Sequence, residues 1–144
     1  MTGHEYALLS IALGSGVLAL VGVWVQFVRY PSFLVWSDGE FRARHTKHCF
    51  WISLPVVPAL IAQLGGTGYL LLFGSPGAWV AAVHVALVLV SVGSTVTISG
   101  PIHHRLSKGK DNELTKQLIR TNVPRTLAWA GHAVFAVTSL LTAQ

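Results

Sequence analysis

The chain has 144 residues, 52% of them hydrophobic and 10% charged, with a mean hydropathy of +0.58. That balance lies outside the range of ordinary soluble domains, and the length bounds the chain to about one domain. The net charge of +5 comes with no basic-aromatic motif and no recognition-helix pattern, so nucleic acid is excluded as a partner and membrane topology explains the basic excess.

All ten Lys and Arg residues fall in two stretches. The first holds Arg29, Arg42, Arg44 and Lys47, and the second Arg105, Lys108, Lys110, Lys116, Arg120 and Arg125. A charged side chain at mid-bilayer costs about 2.5–3.5 kcal/mol, so the long apolar runs around these stretches are expected to cross the membrane and the stretches to stay out of it. The pattern predicts an all-α integral membrane four-helix bundle, with both basic loops in the cytoplasm and both termini outside. A bacterial inner membrane is the expected setting.

The first predicted helix covers about residues 6–28. No basic region precedes it and no small-x-small cleavage signal follows, so it reads as a retained helix and not a signal peptide. Gly14, Ser15 and Gly16 allow close helix contact, and Gln26 is the one amide, near the cytoplasmic end. Arg29-Tyr30-Pro31 then blocks continuation. Asp38-Gly39 marks a turn, and an amphipathic lead-in from Glu40 to His48 runs into helix 2, about 49–73, with Pro55 and Pro58 expected to kink it. Cys49 is the only cysteine, which rules out an internal disulfide and leaves an inert packing residue or a palmitoylation site.

Gly74-Ser75-Pro76-Gly77 predicts a brief outer hairpin that makes helices 2 and 3 antiparallel neighbours. Helix 3 covers about 79–99, with Trp79 in the outer aromatic belt, and Gly100-Pro101 ends it. Asp111 is the expected N-cap of a short amphipathic helix, about 112–121, and Asn122 the cap of helix 4, about 124–143, which opens on Pro124. No repeat or low-complexity tract is present.

Polar residues inside these runs should face the bundle interior, because lipid offers them no partners. His84, Ser91, Thr95, Ser99 and His103 fall on one stripe of helix 3, and Asn122, Arg125, Trp129 and His132 on one face of helix 4. His45 and His48 are three apart on the lead-in, with Gln63 roughly below them. His45, His48, His103, Asn122 and Arg125 should therefore meet at the cytoplasmic end, joined by Tyr30 and Gln26. One chemistry for this group is acid-base work on a lipophile. A neutral His45, His48 or His103 takes a proton, Asn122 and Arg125 stabilise an oxyanion, and Tyr30, Gln63, Thr95 and Trp129 bind substrate. The other is a metal on His45, His48 and His103. A non-covalent haem on His84 or His132 is the weaker cofactor alternative. The helices contain no Glu for a di-iron carboxylate site, and no G-x-S-x-G, Walker or dinucleotide fingerprint occurs.

From Tyr30-Pro31 through His45-x-x-His48 and Pro101-x-His103-x-x-Leu106-x-x-Gly109-x-Asp111 to Thr121-Asn122-x-x-Arg125-Thr126-x-x-Trp129, the chain resembles small bacterial four-helix membrane proteins related to the anthrone oxygenase-like family. The Asn-x-x-Arg-Thr segment is the most specific part. The resemblance implies a four-helix membrane fold and oxidation of an activated polycyclic phenol to a quinone without an organic cofactor, through a carbanion that meets oxygen directly. The chain departs from that pattern at Val123, where Trp is usual, at Gln63, where an acid is common, and at His132, where Arg is common. Two functions thus stand open: a membrane-embedded oxygenase or oxidoreductase on a small aromatic lipophile, and a non-catalytic accessory subunit of a larger complex, with or without haem or metal. Partners beyond the bilayer and that small molecule are a second copy of the chain or such a complex.

Overall fold

The computed structural model describes residues 1–74 and 77–142, which are helical throughout with short turns and contain no strand. Ser75 and Pro76 of the expected hairpin, and Ala143 at the expected end of the last helix, lie outside the described residues. Four long helices follow in order: α1 (Gly3–Val35), α2 (Asp38–Phe73), α3 (Ala78–Leu106) and α4 (Asn112–Thr142). The first three are long and apolar enough to cross a membrane. At about 1.5 Å per residue each is longer than a hydrocarbon core of about 30 Å. α4 is as long but carries Arg125 and His132 along its middle.

The helices run on where sequence reading stops them. α1 continues past Pro31 to Val35 and α3 past Pro101 to Leu106, and the reason is the same in both. Val25–Arg29 and Thr95–Ser99 are π-helical turns, whose closing N–H groups, on Tyr30 and Gly100, reach back to the Val25 and Thr95 carbonyls. A proline cannot donate, and its ring strikes the carbonyl four residues earlier. A wider turn placed directly before it relieves that clash and lets the helix proceed. α2 likewise absorbs the lead-in and keeps helical form through Pro55 and Pro58. α4 joins the expected 112–121 segment to the rest through Pro124. Asp111 does cap α4, its Oδ1 accepting from Leu114 N–H at 3.0 Å. Asn122, expected as a cap, is instead mid-helix and fully buried.

α1 is the central helix, lying along both α2 and α4, while α3 leans on α4 and touches α2 only sparsely. Glycine sets the α1–α2 distance. A Cβ on Gly14 would stand 2.5 Å from the Ala59 carbonyl oxygen, and one on Gly66 would stand 2.6 Å from that of Ala7. Such backbone approach is how helices associate where lipid removes the hydrophobic drive. Ser10 Oγ adds a hydrogen bond of 3.0 Å to the Ala62 carbonyl. At the other end, Lys110 Nζ donates to the Trp36 carbonyl at 2.7 Å and lies 3.8 Å from Asp38, so the α1–α2 and α3–α4 turns sit side by side. Beneath them Phe33, Phe41, Leu106 and Leu118 form a fully buried apolar cluster with Tyr30 and Trp36. That cluster is the floor on which the polar site rests.

Candidate functional site

Above this floor, all four helices deliver polar side chains to one level. α1 contributes Gln26, Arg29 and Tyr30 from its π turn and the residue after it. α2 contributes His45, His48 and Cys49, α3 Ser99 and His103, and α4 Asn122, Arg125 and Trp129. The group predicted from sequence does meet: His45, His48, Asn122 and Arg125 are each 5% exposed or less.

The hydrogen bonds have a direction, because guanidinium can only donate. Arg125 Nη1 donates to Ser99 Oγ at 2.5 Å, and Nη2 to Asn122 Oδ1 at 2.6 Å and Tyr30 Oη at 3.3 Å. Tyr30, accepting there, has its own proton left for His103 Nε2 at 3.4 Å. His103 then carries its hydrogen on Nδ1 and gives it to His45 Nε2 at 3.0 Å. A continuous chain thus leads from Arg125 through Tyr30 and His103 to His45. Asn122 Nδ2 donates to the Gly22 carbonyl at 3.0 Å and Gln26 Oε1 at 2.8 Å, which fixes the amide that orients Arg125. His48 stands apart, its Nδ1 accepting from Arg29 Nε at 3.2 Å.

A cavity of about 170 Å³ opens beside this chain. Tyr30, His48, Thr95, His103, Arg125 and Trp129 border it, and Ile52, Val56 and Leu60 supply an apolar wall from α2. It lies between α2 and α3, where the helices barely touch. Two N–H donors of residues that line it, Arg125 Nε and Trp129 Nε1, are buried and have no partner. The guanidinium also lies 5.3 Å over the Trp129 ring. The chain has five side-chain carboxylates, and each is engaged elsewhere: Glu5 at the α1 cap, Asp38 with Lys110, Glu40 with Arg44, Asp111 at the α4 cap and Glu113 with Lys116. Among the described residues Arg125 is therefore a buried cation with hydrogen bonds and no counter-ion.

His45, Cys49 and His103 place one ligand atom each within 4.8 Å of one another, a group that could hold a metal ion. His48, the third histidine of the predicted metal set, is not in it. Cys49, read from sequence as an inert thiol, is. The signal was available: Cys49 follows His45 by four residues, one helical turn on the same face.

Gln63 and the two remaining helix histidines form a separate cluster. Gln63 Nε2 donates to Ser15 Oγ at 3.0 Å and His132 Nδ1 at 2.9 Å, and His132 Nε2 donates to His84 Nδ1 at 2.8 Å. All four residues are fully buried. Gln63 therefore does not border the cavity, and His84 does not join His103. Leu18, Ala59 and Trp129 form a buried apolar cluster of their own.

No protein-family model, curated protein or solved structure matches the chain.

Proposed function

We propose that the chain is a four-crossing membrane enzyme, oxygenase- or oxidoreductase-like, acting on a small aromatic lipophile that carries a phenolic or carbonyl oxygen. Its basic loops face the cytoplasm and its termini the outside, which is the orientation the Lys and Arg bias favours. The observation that carries the reading is the unpaired guanidinium of Arg125 beside a cavity with two unfilled N–H donors. A buried charge without a partner is costly, and an oxyanion forming next to it meets a donor set already in position.

In this reading the substrate oxygen binds at Arg125 Nε–H and Trp129 Nε1–H. Its activated C–H faces the Tyr30–His103 pair. Tyr30 passes its proton to His103 Nε2 as it takes the proton of the substrate carbon, and His45 steadies the charged imidazole. The resulting carbanion, held as its phenolate, reacts with dioxygen: a flanked CH₂ becomes C=O, and the second oxygen atom leaves as water. His48, whose basic nitrogen is engaged by Arg29, is a wall group and not the base. Asn122 and His45 are positioning residues. The cavity is smaller than the roughly 300–1,000 Å³ of ordinary ligand sites, so one ring enters and the rest extends between α2 and α3 toward lipid. The resemblance to the anthrone oxygenase-like family supports the same chemistry.

The test is oxygen uptake by the purified protein with anthrone as probe. Turnover above the spontaneous rate, lost in Tyr30→Phe, supports the proposal. Uptake equal to that of buffer, with no small molecule co-purifying, favours the accessory-subunit reading.

A further inference from the structure

The triangle of His45 Nε2, His103 Nδ1 and Cys49 Sγ has metal-site dimensions. The nitrogens are 3.0 Å apart, and the sulfur lies 3.7 Å from the first and 3.9 Å from the second. A tetrahedral or trigonal ion with ordinary bond lengths to imidazole and thiolate would hold these atoms about 3.4 and 3.6 Å apart. Each donor therefore needs to move only by tenths of an ångström. The scaffold is preorganised: His45 and Cys49 sit one turn apart on α2, Phe41 stacks on the His45 ring at 5.6 Å, and Tyr30 Oη holds the far nitrogen of His103.

We infer that His45, Cys49 and His103 form a binding site for a single soft metal ion, and that the ion is copper(I). Two imidazoles and one thiolate are a soft donor set. Charge then selects among soft ions. Every side-chain carboxylate is engaged away from the site, and Arg29 and Arg125 already place two cations close by. A monovalent ion on one thiolate adds no net charge, whereas zinc(II) adds a further positive charge to a region of low polarity. Binding is a substitution without redox change: the Cys49 thiol loses its proton, both imidazoles bind as neutral bases, and one proton is released per ion. With the metal on Nδ1, His103 carries its hydrogen on Nε2 and donates to Tyr30, whose own proton then turns to the cavity.

The inference rests on the geometry of the same site as the proposed enzyme but not on its catalysis. The experiment titrates the full-length chain in detergent with copper(I) under anaerobic conditions against a chromophoric chelator, and separately with zinc(II). One equivalent of copper(I), with an ultraviolet thiolate-to-copper band, is expected. Cys49→Ala should weaken uptake by about 100-fold or more and abolish the band, since removing even an outer-shell group costs 10–100-fold. His132→Gln, in the other cluster, should leave both unchanged. Cys49 is only half-buried, so its alanine variant is expected to fold, and far-ultraviolet circular dichroism checks that. Wild-type uptake no stronger than that of Cys49→Ala overturns the site. Uptake of zinc(II) with copper(I) ignored overturns the charge argument. Oxygen uptake with anthrone is measured on the metal-free protein, because copper on His103 Nδ1 leaves Nε2 protonated and unable to take the Tyr30 proton: turnover there with no copper(I) uptake on titration sinks only this proposal, and stoichiometric copper(I) uptake with no turnover by the metal-free protein sinks only the other.

Discussion

Replacing Arg125 with Gln should separate activity from stability. The guanidinium makes three hydrogen bonds, to Ser99, Asn122 and Tyr30. Of these acceptors only Asn122 Oδ1 is left stranded, because Tyr30 keeps His103 and a helical Ser can turn to a backbone carbonyl of the preceding turn. An orphaned buried acceptor costs about 1–3 kcal/mol. Against that loss stands the removal of a buried cation whose desolvation costs several kcal/mol. The terms oppose one another and are of similar size, so the thermal midpoint in detergent should move by only a few degrees. Catalysis has no such compensation. Losing an oxyanion donor typically lowers kcat by about 10²–10³, or 2.7–4 kcal/mol. The expected result is a folded Arg125→Gln protein with oxygen uptake on anthrone reduced at least 100-fold. Arg125→Lys keeps the charge but loses the fork that reaches Ser99, Asn122 and Tyr30 together, and should recover only part of the rate. A variant that melts far below wild type with its rate per folded molecule intact would show that Arg125 serves the fold alone, and the oxyanion argument would fall.

Other outcomes follow from the same geometry. Tyr30→Phe cuts the chain between Arg125 and His103 and should lower turnover by about 10²-fold, the usual scale for an acid-base group, with kcat falling more than KM rises. Gln63→Leu strands Ser15 and His132 and should cost about 1–3 kcal/mol in thermal or denaturant unfolding while leaving turnover per folded molecule unchanged. Gly14→Val forces a side chain against the Ala59 carbonyl and should destabilise the α1–α2 pair by about 1–3 kcal/mol, read as a lower unfolding midpoint. In a Cys49→Ala background, Lys108→Cys should react with an impermeant maleimide only from the cytoplasmic side and Thr2→Cys only from outside; the reverse labelling refutes the assigned orientation.

The helices and the meeting of their polar faces were legible in the sequence because both rest on spacing. Apolar length marked the helices, and steps of three and four residues put Asn122, Arg125 and Trp129 on one face. What spacing did not show was where the period changes. The prolines at positions 31 and 101 read as stops, since a π turn has no residue signature of its own. Each π turn shifts the register, which is how His103 comes to face α2 while His84, expected on the same stripe, turns to His132. The expected cap at Asn122 failed for a related reason. Asn two residues before Pro reads as a helix start in an isolated segment, but here the preceding turns are held by the buried apolar residues Leu114 and Leu118, and the helix runs through. Pairing between helices was likewise hidden. Gln63 lies on the same helix as His45 and His48, but only the Gly14 contact decides that it meets Ser15 and His132.

The two polar clusters differ in a way that bears on which one does chemistry. The Ser15–Gln63–His132–His84 cluster is neutral, fully buried and bonded from helix to helix, so it ties α1, α2, α4 and α3 together. Its leftover atoms, Gln63 Oε1 and His84 Nε2, carry no charge. The other cluster ties the same four helices together, yet it includes a cation with no counter-ion among the described residues, a thiol beside ring nitrogens and a hollow at its edge. A bundle built only to pack would gain from exchanging that cation for an apolar side chain, as buried ion pairs in general can be exchanged at no loss. The first cluster shows that this sequence can join four helices with neutral groups alone. Arg125 is thus an expense of free energy that helix association does not explain, and a negatively charged ligand oxygen is the group that would offset it.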